Sequence, residues 1–219
     1  MAVGNRDREF WEKHAASYDH TLKLFARPLP RMLSLVREAV SGAANVLEVA
    51  AGTGVVTTAI APRVGRLVAT DYASAMLGVL QKRVREAGLA NVECEYGDIY
   101  ALAYPPGSFD AVVACNVLHL VPDLPKALQA LCRVLSPGGK LIAPTFCHDE
   151  TWTSWVVSRA LAVIGQPMHR RFTTTSLRDA LERAGVRVRL AETIAGLIPI
   201  GYVEGVLETA AETDWLPSG

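Results

Sequence analysis

Four short stretches concentrate the residues able to handle a ligand. Glu48-Val49-Ala50-Ala51-Gly52-Thr53-Gly54 places a carboxylate in an apolar run and follows it with small residues and two glycines. Glycine lets backbone approach a ligand and turn sharply, and a helix starting beyond it aims free N–H groups at the same place. The stretch reads either as a ligand-contacting loop or as a tight strand-to-helix turn. A dinucleotide fingerprint needs a third glycine, but residue 57 is threonine, residue 50 is alanine, and no Gly-Lys-Ser/Thr follows to hold phosphate. Glu48 is expensive in such a run unless paired or hydrogen-bonded. It either orients backbone N–H groups and meets an ammonium through water, or is satisfied by local backbone.

Asp71 lies 71 − 52 = 19 residues beyond Gly52. An acid there can accept hydrogen bonds from both hydroxyls of a ribose. That implies an adenosine without separating a nicotinamide dinucleotide from S-adenosylmethionine. Tyr72 offers a ring to the base, or is an ordinary turn aromatic. In Gly97-Asp98-Ile99, the aspartate can accept from an adenine amine while Ile99 packs the ring, or Asp98 caps its own turn. In Asn116-Val117-Leu118-His119, Asn116 can meet ligand through its backbone. His119 has an intrinsic pKa suited to proton transfer, or makes a structural contact.

These stretches follow one another at the ends of short elements. Residues 45–50, 66–71, 92–96, 109–115 and 140–146 read as strands. Residues 55–63, 74–87 and 124–135 read as helices, with Ser74 as N-cap, Gly88 as a stop and Ser136-Pro137-Gly138-Gly139 as a turn. Apolar strands without polar alternation, separated by helices, predict a parallel sheet covered on both faces. The expected fold is α/β, a Rossmann-like doubly wound sheet that binds ligands beyond the carboxyl ends of its strands. Residues 5–41 read as helical, broken in two by Pro28 and Pro30. Residues 148–185 read as helical, including 151–164 and 176–184. Residues 186–193 and 198–207 read as two strands joined by a short loop, hence antiparallel.

The composition suits one soluble domain. The chain has 219 residues, 50% of them hydrophobic, with 22 basic and 22 acidic side chains in balance. No global field favours nucleic acid, and disorder is excluded by the apolar fraction. Cys94, Cys115, Cys132 and Cys147 are too scattered for a zinc site or a disulfide framework, so no metal is expected. The polar N-terminus is no signal peptide, and no apolar run reaches about 18 residues. The expectation is a cytoplasmic protein, with peripheral membrane contact as an option.

At these residues the chain resembles the class I S-adenosylmethionine-dependent methyltransferases, closest to the branch containing the ubiquinone and menaquinone biosynthesis enzymes. The matching stretches are VLEVAAGTG (46–54), VATDYASAML (68–77), YGDIYALAYPPGSFDAVVACNVLHLVPD (96–123) and LCRVLSPGGKLIAPTF (131–146). The resemblance implies seven strands, mainly parallel with an antiparallel last one. It implies a single domain divided into an N-terminal helical lid (1–42), a cofactor core (43–147), substrate helices (148–185) and C-terminal strands (186–219). It implies that Gly52, Gly54 and Ala50 line the methionine part and that Glu48 supports its amino group. Asp71 is then similar to the ribose acid, with Tyr72 and Met76 beside the adenosine and Asp98 and Ile99 at the adenine. Asn116 matches the position touching methionine and facing the acceptor. FWEKHAASYD (10–19) is similar to the opening segment whose tyrosine, here Tyr18, closes over the cofactor. Ala50-Ala51 departs from the glycine or cysteine common there.

In-line methyl transfer requires mainly that a nucleophile be held about 3 Å from the methyl group. A general base matters only for an acceptor that must lose a proton. His119 is the first candidate, with His14, Tyr18 and His148 behind it. Trp152, Trp155, Val156 and Val163 form a helical stripe. It either lines an apolar substrate chamber or buries a helix on the sheet. Leu24, Phe25, Leu29, Met32 and Leu35 add to the same surface. The expected acceptor is small, apolar or lipid-like, with phospholipid N-methylation as the alternative. His169-Arg170-Arg171 either meets an anionic head group or membrane surface, or forms a solvated loop. A non-catalytic S-adenosylmethionine-binding protein is the rival of another class. Nucleic-acid methylation is disfavoured, and oligomeric state is not legible.

Overall fold

The apolar runs form the sheet that their lack of polar alternation predicts. In the computed structural model, which describes residues 5–24, 26–163 and 167–208, β1 (Asn45–Val49), β2 (Arg66–Asp71), β3 (Val92–Tyr96), β4 (Phe109–Val113) and β5 (Leu135–Ile142) pair in parallel in the order 3-2-1-4-5. Order reverses between β1 and β4, and the ends of those strands open the crevice of a doubly wound fold. Alternate residues feed opposite faces. Leu47, Val112 and Leu141 face one cluster, while Val46, Ala111, Val113 and Ile142 face the other with Met32, Leu35 and Val36 of α3 (Leu29–Val40). Leu141 is fully buried, and shortening such a leucine to alanine costs about 2–5 kcal/mol.

The connecting helices are α4 (Val55–Ile60), α5 (Ser74–Glu86) and α6 (Leu124–Val134). α6 carries Leu124, Ala127, Leu128, Leu131 and Val134 on its buried face, and Asp123 caps it by accepting from Lys126 N–H. The 136–139 turn persists as a bulge inside β5. Phe109 pairs with Leu135 and Ala111 with Lys140, so three extra residues loop out between those pairs.

Four expectations need correction. Eight strands are present rather than seven, because Pro144 interrupts the fifth. Its continuation, β6 (Thr145–Phe146), pairs with the same partner, β8 (Ile200–Leu207), as β5 does; proline has no N–H to continue a ladder. β7 (Val186–Ile194) lies antiparallel on the other side of β8. The N-terminal region holds three helices rather than two, α1 (Asn5–His14), α2 (Tyr18–Leu24) and α3, since the chain also turns at 15–17. Ser74 is not the N-cap of α5. Ala73 occupies that position, and Glu12 of α1 accepts from the N–H groups of Ser74 and Ala75.

The fourth correction concerns α7 (Trp152–Val163), which precedes α8 (Thr174–Arg183). Among its described side chains, the aromatic stripe does not rest on the sheet. Trp152 is 78% exposed, and Trp155 and Val156 are also exposed. Among its described side chains, 152–159, the buried ones are Ser154 and Ser158. Phe25, residue 164 and the tail 209–219 lie outside the described residues, as do the side chains of Leu24 and Val163.

Candidate active site

The turn after β1 is built on unusual backbone. Ala50 has φ 52°, Gly52 φ 57° and Gly54 φ 86°. A Cβ on Gly54 would stand 2.6 Å from Leu80 Cδ1, so this glycine sets the approach of α4 to α5. Ala50 adopts the same left-handed region without glycine's freedom, a local strain of the kind found where a loop must hold one shape.

Asp71 ends β2 and fixes this loop. Its Oδ2 accepts from Gly52 N–H at 2.8 Å and its Oδ1 from Ala73 N–H at 2.9 Å. The carboxylate retains lone pairs for a ligand and borders a cavity enclosing about 710 Å³ of empty space, mouth included. Tyr18, Ala50, Gly52, Tyr72 and Met76 border the same cavity, and Asp98, Ile99 and Asn116 close its far side. Nine of the twelve residues singled out in the sequence therefore meet here. Asp98 also holds its own turn, accepting from Tyr100 N–H at 2.9 Å.

The other three lie elsewhere. Glu48 borders an adjoining cavity behind Ala50. Its Oε2 accepts from Thr57 Oγ1–H at 2.6 Å. Gly54 borders none of these spaces and acts through the fold of the turn. His119 borders a third cavity enclosing about 510 Å³ of empty space, mouth included, which shares Trp11, Tyr18, Asn116 and Leu120 with the first. Sequence reasoning missed Trp11 and Cys115, which a reading of apolar segments alone cannot assign to a ligand space.

The two acids carry an electrostatic signature. Burial pushes Glu48 up to about 8, against the opposing hydrogen bond from Thr57, and nearby Asp71 adds to the rise. Burial likewise pushes Asp71 up to about 6, against the backbone N–H groups of Ala73, Gly52 and Tyr72. Two acids resisting ionisation beside one cavity system are short of positive charge. A cationic ligand is the natural complement.

The N-terminal helices cover this space. Trp11 meets Tyr18 edge-on with ring centres 5.8 Å apart. Three polar tethers hold the cover. Glu12 grips the start of α5, and His169 Nε2 meets Asp7 Oδ2 at 2.8 Å. Asp19 accepts from Thr53 Oγ1–H at 2.6 Å and pairs with Arg83. Burial alone would raise Asp19, but those two hydrogen bonds together outweigh it and hold the carboxyl below its usual range.

In the third cavity His119 and His148 face one another with ring centres 5.3 Å apart. His119 Nδ1 lies 3.0 Å from Thr145 Oγ1. Burial pushes His119 well below an ordinary histidine, and His148 adds to this. Burial and Arg171 bring His148 down to about 4 against the pull of Asp149. Both rings are neutral at pH 7. The basic run beyond is engaged within the chain. Besides the His169 tether, Arg170 donates to Pro122 O and Arg171 pairs with Asp149. No described helix is long and apolar enough to cross a membrane.

Residues 46–139 match the family model described as a methyltransferase domain. The chain is 34% identical over 139 residues to demethylmenaquinone methyltransferase of Listeria welshimeri, covering 60% of this chain and 58% of that one. It is 34% identical over 134 residues to nocamycin O-methyltransferase of Saccharothrix syringae, covering 60% and 48%. The matched region thus spans about half the length of these relatives. Among solved structures, N-methyltransferase NodS of Bradyrhizobium japonicum, in complex with S-adenosyl-L-homocysteine, superposes with a TM-score of 0.76 at 17% identity, over 94% of this chain and 100% of that one.

Proposed function

We propose that this chain, whose residues 46–139 match a methyltransferase domain, is a class I S-adenosylmethionine-dependent methyltransferase that moves a methyl group to a small apolar acceptor of quinone-like character. The observation that carries this reading is the junction of cavities. Asn116 and Tyr18 border all three, so the space bounded by Asp71 adjoins a space of different chemistry.

The residues present fit the cofactor. Asp71 offers lone pairs where a ribose would lie, and Asp98 and Ile99 offer the polar and apolar edges an adenine takes. The charge-starved acids Glu48 and Asp71 suit a ligand bearing both an ammonium and a sulfonium. When bound, S-adenosylmethionine supplies an activated methyl group. The protein's part is then positioning. Asp71 and the 50–54 turn hold one partner and α1 and α2 exclude water. Asn116, at φ 52°, borders both spaces. Holding reactants in line supplies up to about 7–11 kcal/mol of barrier lowering.

The quinone-like acceptor draws support from the Listeria relative's name and from Trp11, Leu22, Leu120, Phe146 and Ile198 around the third cavity. Release of S-adenosylhomocysteine, measured against hydroxylated naphthalenes, thiols, amines and phospholipid vesicles, tests the reading. Turnover with the hydroxylated naphthalenes is expected. Cofactor binding with no turnover on any class would favour a binding protein, and turnover on vesicles alone would favour phospholipid N-methylation.

A further inference from the structure

The buried face of α7 carries serines rather than apolar side chains. A twelve-residue helix turns two tryptophans toward solvent and buries Ser154 and Ser158, four residues apart. Residues at that spacing share one face. The buried hydroxyls therefore need partners, and the partners form a directional chain. Ser158 Oγ lies within hydrogen-bond distance of Ser154 O. A carbonyl only accepts, so the Ser158 proton points at it. His148 Nδ1 lies 2.7 Å from the same Ser158 oxygen. With its one proton committed, that oxygen can only accept, and Nδ1 must carry the hydrogen.

A neutral imidazole has one N–H and one lone pair. With Nδ1 protonated, Nε2 of His148 is the lone-pair nitrogen. It is buried and has no hydrogen-bond partner among the described residues, while the ring borders the third cavity. A buried acceptor left unpaired is costly, so the arrangement is complete only when something donates to it.

We infer that His148, with its tautomer set by Ser158 and Ser154, is the residue that selects the acceptor, and that it selects a hydroxyl on an apolar ring by accepting its O–H at Nε2. This rests on the methyltransferase reading and narrows its substrate class. An ether or a hydrocarbon brings no hydrogen to this nitrogen. His119 lies beside the His148 ring, tilted by 52° with ring centres 5.3 Å apart, and is anchored on Thr145. Arg171, Asp149 and His119 are the titratable neighbours that act on the pair. An imidazole held this far down in basicity works as a hydrogen-bond acceptor that aims the hydroxyl and is a poor store for its proton. His148 is thereby a specificity residue.

The test uses the full chain with 15N-labelled histidine, alone and with S-adenosylhomocysteine, at pH 7. His148 is expected as the Nδ1–H tautomer, with Nε2 unprotonated. Addition of 2-naphthol is expected to move the Nε2 resonance, and naphthalene is expected to leave it in place. By calorimetry 2-naphthol should bind about tenfold more tightly than naphthalene. That ratio should fall to about one in His148→Phe and drop several-fold in Ser158→Ala, which removes only the tautomer lock and guards against a folding defect in the first variant. An Nε2–H tautomer or an imidazolium in the unsubstituted protein would overturn the inference, as would an unchanged ratio in both variants. Failure of S-adenosylhomocysteine to bind would instead overturn the methyltransferase reading, with the tautomer still readable.

Discussion

Asp71→Asn separates the two duties of this side chain. In the empty protein both carboxylate oxygens accept backbone N–H groups, from Gly52 and Ala73. An amide keeps the shape but presents a donor to one of those donors, which costs about 1–3 kcal/mol. An opposing gain offsets this. The carboxyl stands at about 6 against an ordinary 3.8, so keeping it ionised in the empty fold costs about 3 kcal/mol at roughly 1.4 kcal/mol per tenfold in proton affinity. Because the folded value is the higher one, the fold holds this proton more tightly than the unfolded chain. That contribution to stability is complete below about pH 4 and is lost as pH rises through about 6. The variant should therefore melt within a few degrees of the parent at pH 7. Cofactor affinity should not survive. Two ribose hydroxyls donating to a carboxylate are worth about 1.5–3 kcal/mol each. With one oxygen left, the loss is about 2–4 kcal/mol, or roughly 30- to 1000-fold in Kd. Isothermal calorimetry with S-adenosylhomocysteine at pH 5 and pH 8 measures it. The penalty should be larger at pH 8, where the parent is ionised. A variant that binds as tightly as the parent at pH 8 would refute the ribose assignment, and a pH-independent ratio would refute the electrostatic part.

Four further outcomes are expected. Glu48→Gln should flatten the pH dependence of stability. The parent, whose Glu48 stands at about 8, loses stability as pH climbs from about 5 through 8, and urea melts across pH 5–9 compare the two. Gly54→Ala should destabilise by about 1–3 kcal/mol, since it combines a left-handed backbone with a 2.6 Å approach to Leu80; a thermal melt within error of the parent would contradict the geometry of the turn. Glu12→Ala should remove about 1 kcal/mol of capping and speed amide exchange at Ser74 and Ala75, while amides in β1 and β4 stay protected. Trp152→Ser should leave the melting temperature within a degree, because the ring is 78% exposed; a large drop would mean that the ring is covered in solution.

Much of the site was legible because its residues sit at fixed offsets from strand ends. Asp71, Asp98 and Asn116 each follow an apolar run, and a parallel sheet brings such ends to one edge whatever the loops between them do. Seven of the named residues border one cavity for that reason, and Tyr18 and Met76 join them from α2 and α5. The role of Glu12 was not legible, since it caps a helix 62 residues away. Nor was that of Ser158, whose value depends on His148 lying across from it. The aromatic stripe of α7 misled in the opposite sense, because hydrophobicity at helical spacing does not say which face meets the protein.

Periodicity and local turn chemistry determined the strands, their parallel arrangement and the acids at their ends, since those depend on neighbours in the chain. Tertiary structure alone decided the break at Pro144, the exposed tryptophans, the tethers of the N-terminal helices and the contact of His148 with Ser158. Each of these is a choice of partner between residues far apart in sequence, and a hydrogen bond or a buried face has no partner until the chain has folded.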